Sequence, residues 1–131
     1  VNDEPTLDVA QALGHQGILF MGATGFVGKV ALSMLLQRYG SELESIYVLS
    51  RRGSYGSASR RFEDQIATSE PFNPLWEQLG RDRAASFLKA KCQVLDGDII
   101  SVLCGLSSSQ LQQLKGKVQV VINCAGLVSF N

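Results

Sequence analysis

Four short apolar runs punctuate the chain, and the segments between them carry apolar residues at helical spacing. The runs are "GILFM" (Gly17–Met21), "SIYVLS" (Ser45–Ser50), "CQVLDGD" (Cys92–Asp98) and "VQVVINCAG" (Val118–Gly126). Continuous apolar stretches of this length predict strands covered on both faces, as in a parallel sheet. After the first run, Val27, Val30, Ala31, Met34 and Leu35 recur at i, i+3, i+4, i+7 and i+8. That spacing predicts a helix ended by Gly40, with Lys29, Ser33, Gln37 and Arg38 on its opposite face. A short helix from about Asp8 to Leu13, closed by Gly14, precedes the first strand. The second connection is long. It opens with glycine- and serine-rich turns in "RRGSYGSASR", then predicts a helix over Arg60–Thr68 with Phe62 and Ile66 on one side. The prolines of "EPFNPLW" break it, and Leu75, Trp76 and Leu79 fit a further short helix. In the third connection Ser107 and Gln110 stand at capping-box spacing, with Leu106 and Leu111 placed as a hydrophobic staple.

The order β-α-β-α-β-α-β implies an α/β fold, a Rossmann-like doubly wound parallel sheet in three α/β/α layers with right-handed crossovers. Its strands are expected in the order 3-2-1-4, with ligands beyond their carboxyl ends where the order reverses. Residues 1–16 form a lead and residues 17–131 the domain. Strand four would lie at an open edge although it is as apolar as a central strand. Native proteins usually cover such an edge, which predicts a longer parent protein and self-association through this strand.

Composition narrows the setting. Apolar residues make up 45% and charged residues 18%, the balance of a globular domain. A formal net charge of zero argues against capture of nucleic acid, no apolar run is long enough to span a membrane, and "VNDEPTLD" is no signal peptide. Cys92, Cys104 and Cys124 are odd in number and lack CxxC spacing, so neither a metal site nor a disulfide framework is expected. Three reduced, mostly buried thiols in a cytoplasmic protein is the expectation. His15 is the one histidine and precedes the first strand, a surface position.

The chemistry concentrates in "MGATGFVG", where Gly22, Gly25 and Gly28 stand three apart between an apolar strand and a helix. Gly22 allows a tight exit from the strand, Gly25 a close approach of backbone to a diphosphate, and Gly28 close packing of helix on sheet. The helix start, at Phe26 and Val27, offers unpaired amides to phosphate, and Thr24 adds a hydroxyl. No GK[ST] closes the turn, so it is not a P-loop. At the end of strand two, where a carboxylate would bind the ribose 2′-hydroxyl of NAD, the chain reads Ser50-Arg51-Arg52. Guanidinium groups pair with a 2′-phosphate, which predicts NADPH unless both arginines are plain solvated charges. Asp98 and Ile99 are placed to hold adenine, with a turn-stabilising Asp98 as the alternative. The small residues Cys124, Ala125 and Gly126, after Asn123, let the backbone run beside the cofactor's ribose, or else simply pack the strand end.

"GATGFVG", "IYVLSRR", "LDGDI", "CGLSSSQLQQL" and "VVINCAGLVSFN" together resemble the N-terminal part of the fatty acyl-CoA reductases. These carry the male-sterility type NAD-binding domain of the extended short-chain dehydrogenases/reductases. Met21 stands where that superfamily usually has threonine, which removes one turn-stabilising hydroxyl. The resemblance implies NADPH-dependent reduction of a fatty acyl thioester to the aldehyde, or onward to the alcohol. It implies a catalytic Ser or Thr and a Tyr-xxx-Lys pair beyond Asn131, hence no catalytic residue here and an inactive piece on its own. Tyr39, Tyr47 and Tyr55 do not serve, since none has lysine four residues on. "GD-I" followed by "GLS" is shared with carrier-protein thioester reductase domains, the alternative, while "LVSFN" leans toward the acyl-CoA enzymes. A non-catalytic NADP-binding module is the third reading. A sugar-nucleotide epimerase fits the glycine turn but not "GLSSSQL".

Overall fold

The computed structural model describes residues 4–126. A four-stranded parallel sheet has the order β3-β2-β1-β4, built from β1 (Gly17–Met21), β2 (Ser45–Ser50), β3 (Cys92–Asp96) and β4 (Val120–Asn123). The expected order is therefore the observed one. In β1, Ile18 and Phe20 are fully buried, and β2 buries every residue but Ser45. Both are sheathed by helices and neighbouring strands, which is why their sequences lack alternation. The flanking β3 and β4 are partly open, with Val121 58% exposed on the free edge of β4. The outer runs end sooner than expected: β3 stops at Asp96, leaving Asp98 in the following loop, and β4 pairs only over Val120–Asn123. Past each run one further backbone bond is made, from Gly97 N–H to the Ser50 carbonyl at 3.1 Å and from Cys124 N–H to the Met21 carbonyl at 2.8 Å.

Around the sheet lie α1 (Val9–Leu13), α2 (Phe26–Tyr39), α3 (Ala58–Arg61), α4 (Asn73–Leu79), α5 (Arg81–Lys91) and α6 (Ser108–Leu114). Two helical features differ from expectation. The buried positions of α2 are Gly28, Leu32, Ser33 and Leu36; of the expected face, Ala31 and Leu35 pack partly buried against the core, while Val27 and Met34 are exposed. Gly28 dictates this rotation. A Cβ there would collide with the Gly22 carbonyl oxygen, so the helix sits down on the turn at that point. Residues four and eight further on then face the sheet. Ser33 tolerates burial because its hydroxyl donates to the Pro71 carbonyl at 2.6 Å and accepts from Gln37 Nε2 at 2.8 Å.

The second difference is α5, which the apolar pattern did not disclose because "RDRAASFLKAK" buries only Ala84 and Leu88. α3 continues as a π-helical turn, Phe62–Ala67, that places Phe62, Ile66 and Ala67 in the core. The capping box of α6 is present: Ser107 Oγ accepts from the Gln110 amide and Gln110 Oε1 from the Ser107 amide. Of the cysteines, only Cys92 is buried; Cys104 and Cys124 are half-buried, because both lie on loops at the sheet's carboxyl edge. Burial pushes the Cys92 thiol up from its ordinary 9.0 to about 12. His15 is exposed, as expected of a surface residue. No helix among the described residues is long and apolar enough to cross a membrane.

Candidate functional site

Register brings the four strand ends level. Met21 pairs with Leu49 on one side and Asn123 on the other, and Ser50 pairs with Asp96. The residues that follow each strand must therefore meet at one edge, beside the reversal between β1 and β4. They line a cleft of about 380 Å³, within the range of small-molecule sites.

The glycine turn forms its floor. Gly22 has φ +87°, and a Cβ there would collide with the Cys124–Ala125 peptide. Gly28 is equally constrained by the Gly22 carbonyl. Gly25 is different. Its backbone is extended (φ −78°, ψ 166°), and an added Cβ would have the Gly22 oxygen at 3.7 Å as its only near neighbour. The fold demands glycine at 22 and 28 but leaves Gly25 unexplained. No side chain caps α2; its first turn-closing bond is Lys29 N–H to the Gly25 carbonyl, 3.0 Å. The amides of Phe26, Val27 and Gly28 precede that bond and are left to water or a ligand. Phe26 and Val27 are 80% and 65% exposed, and neither they nor Gly28 line the cleft itself. Thr24 lines the cleft.

Opposite the turn, Ser50 is buried and its hydroxyl donates to the Arg51 carbonyl at 3.2 Å. Arg51 lines the cleft and its Nη1 lies 3.9 Å from Asp98 Oδ2. Arg52 does not line the cleft. It faces a neighbouring groove, with Nε 4.0 Å from Asp96 Oδ2. Asp98 and Ile99 both line the cleft, and Asp98 Oδ1 also accepts from the Ile100 amide at 3.2 Å. Its turn-stabilising and site-lining readings are thus compatible. The Asp98 amide in turn donates to the Cys104 carbonyl at 2.9 Å. Leu103 (φ 51°) and Cys104 (φ 57°) adopt left-handed backbone to present that acceptor.

Cys124, Ala125 and Gly126 close the third wall. Cys124 N–H donates to the Met21 carbonyl at 2.8 Å, and Asn123 Oδ1 accepts from the Ala125 amide at 2.9 Å. Close packing against Gly22 and a wall of small residues are therefore one arrangement. Sequence reasoning missed Arg61, which reaches the cleft from α3, and Ile100 beside Ile99. The segment Leu127–Asn131, which carries "LVSFN", lies outside the described residues.

The profile of the family described as Male sterility protein matches residues 21–131. The chain belongs to that family. It is 30% identical over 122 residues to fatty acyl-CoA reductase 1 of Arabidopsis thaliana, covering 92% of this chain and 25% of that protein. Fatty acyl-CoA reductase 1 of Mus musculus is 32% identical over 116 residues, which cover 88% of this chain and 21% of the mouse protein. Among solved structures, the terminal R domain from the myxalamid PKS-NRPS biosynthetic pathway superposes with a TM-score of 0.60. It shares 26% identity over 89% of this chain and 26% of that domain. The chain thus spans about a quarter of the length of these relatives. The four-stranded parallel sheet, in the order β3-β2-β1-β4 with helices around it, is a Rossmann-like architecture shared with that R domain.

Proposed function

We propose that this chain is the NADPH-holding part of a fatty acyl-CoA reductase. The observation that carries the reading is Gly25: an extended residue whose added Cβ would meet nothing closer than an ordinary contact, at the N-terminal foot of a 14-residue helix that no side chain caps there. Glycine there serves something outside the chain. A diphosphate fits, since it needs bare backbone and unpaired amides together. The family is an NAD-binding one by name, and its fatty acyl-CoA reductase relatives supply the substrate class.

In this reading the amides of Phe26, Val27 and Gly28 and the Thr24 hydroxyl hold the diphosphate. Arg51 neutralises the 2′-phosphate; Asp98 accepts from the adenine amino group and Ile99 packs on its ring. Cys124, Ala125 and Gly126 run beside the ribose. When bound, the dinucleotide supplies a hydride for reduction of the thioester carbonyl. The residues of this chain bind and orient it, and the catalytic Ser or Thr and Tyr-xxx-Lys are assigned to sequence beyond them. A cytoplasmic setting belongs to the same proposal, supported by three free cysteines among the described residues.

The test is titration of the chain with NADPH and NADH. NADPH should bind more tightly by about tenfold or more, since it adds a charge-assisted contact. Arg51→Glu should erase that difference by repelling the 2′-phosphate. Equal affinities in the unaltered chain would refute the cofactor assignment. The R-domain neighbour supports a second reading, a carrier-linked thioester reductase. A parent protein that turns over acyl-carrier thioesters and not acyl-CoA would favour it.

A further inference from the structure

A second cavity, of about 480 Å³, lies beneath the long connection and against β3. It shares no lining residue with the cleft at the strand ends. Three periodicities build its walls. A π-helical turn bonds i to i+5, so Phe62 stands over Ala67 and Glu63 over Thr68, and all four line the cavity. In an α-helix the members of each pair would face apart. Opposite them, Ala85, Leu88 and Lys89 share one face of α5, while Cys92 and Val94 share one face of β3. Trp76 enters from α4.

The wall is apolar: Phe62, Ala67, Leu88 and Cys92 are buried. Polar atoms beside them are already committed. Trp76 Nε1 donates to the Ala67 carbonyl at 2.7 Å, which leaves the indole ring as apolar surface, and Thr68 Oγ1 donates to the Asp64 carbonyl at 3.0 Å. Burial keeps the Cys92 thiol protonated, its pKa pushed up to about 12. A cavity without unpaired polar groups holds water poorly and receives apolar molecules. Two lining residues differ in kind. Lys89 and Glu63 are exposed, and neither has an ion-pair partner within 4.0 Å among the described residues. One side chain only donates and the other, ionised, only accepts. A carboxylate ligand would gain at Lys89 and lose at Glu63, and an ammonium the reverse. A hydroxyl donates and accepts at once, so it suits both.

We propose that this cavity binds a neutral apolar chain ending in a hydroxyl, a long-chain alcohol, at a site separate from the dinucleotide cleft. The ligand class is read from the apolar walls and the two opposite charges beside them. Its identity as an end product of the parent enzyme, the acyl group after full reduction, rests on the reductase reading above. The volume lies within the range of small-molecule sites, and the few polar groups set the orientation of the chain.

Trp76 is the sole tryptophan of the chain, so its emission reports occupancy of the cavity. The experiment titrates the full chain with decanol, decanoate and decylamine, by tryptophan emission and by calorimetry, with and without NADPH. Decanol should bind saturably and about tenfold or more tightly than either charged chain, since each of those meets a like charge and loses hydration. From octanol to decanol, affinity should rise about fourfold per added methylene. Ala85 is exposed on α5, so Ala85→Phe sets a ring in the cavity without disturbing the core. It should weaken decanol by at least about tenfold. Glu63→Gln removes the like charge, so it should tighten decanoate while holding decanol within about threefold. Decanol should leave NADPH affinity unchanged. Absence of saturable decanol binding, decanoate binding as tightly as decanol, unchanged binding in Ala85→Phe, or competition with NADPH would each overturn the proposal. The preference for NADPH over NADH is read by its own titration, so the cofactor reading stands or falls separately.

Discussion

Gly25→Ser separates what the fold needs from what a ligand needs. Gly25 is the N-cap of α2, with φ −78° and ψ 166°, the extended geometry in which a serine side chain caps best. A Cβ would meet only the Gly22 oxygen, at 3.7 Å, an ordinary contact. Serine in place of glycine at an N-cap gains a few tenths of a kcal/mol from the new hydroxyl-to-amide bond. Removing glycine from the unfolded chain contributes about 0.4–1 kcal/mol more. The variant should therefore be more stable by about 0.5–1.5 kcal/mol, raising the melting temperature by roughly 2–6 °C for a domain of this size. The same side chain would occupy the approach to the amides of Phe26, Val27 and Gly28 and bond one of them. NADPH affinity should fall by at least about tenfold, close to 1.4 kcal/mol. Differential scanning fluorimetry and fluorescence titration of NADPH read the two halves independently. A stabilised variant that binds NADPH as the unaltered chain does would refute the diphosphate cradle. A clearly destabilised one would refute the claim that the fold has no need of glycine here.

Gly28→Ala should do the opposite, because its methyl group overlaps the Gly22 carbonyl and forces α2 off the sheet. A loss of about 1–3 kcal/mol, seen in urea unfolding, is expected, and an unchanged midpoint would contradict the close packing. Cys92, with its thiol pushed up to about 12, should resist thiol reagents at pH 8 in the folded chain while Cys104 and Cys124 react. Because the folded state keeps that proton and the unfolded state loses it above pH 9.0, stability should fall between about pH 9 and 12. That component should be missing in Cys92→Ala, and an identical slope in both proteins would contradict it. The 58% exposed Val121 on the free edge of β4 should support concentration-dependent association. Sedimentation should show that Val121→Lys suppresses it, and a monomer that persists at high concentration would argue against edge pairing.

Much of this molecule was legible along the chain because local rules and global fold agree there. Uninterrupted apolar strands, a glycine turn and a capping box each have a short-range physical cause, and together they permit one sheet order. Arg51, Asp98 and the residues after Asn123 could be assigned to one cleft because parallel register must bring strand ends level. Other features were decided only by packing. The α2 face turned on one carbonyl collision at Gly28, which hydrophobic spacing does not encode. The polar α5 left too faint an apolar stripe, and its helix is held by Ala84 and Leu88 against the rest of the fold.

Arginine chemistry marks the same boundary. Sequence identifies cations near a phosphate site, since charge and spacing are properties of the chain. Which of them stands without a carboxylate partner among the described residues depends on where Asp64, Asp96 and Asp98 come to lie. That is a relation between residues brought together by α3 folding back on the end of β2, and only the tertiary structure holds it.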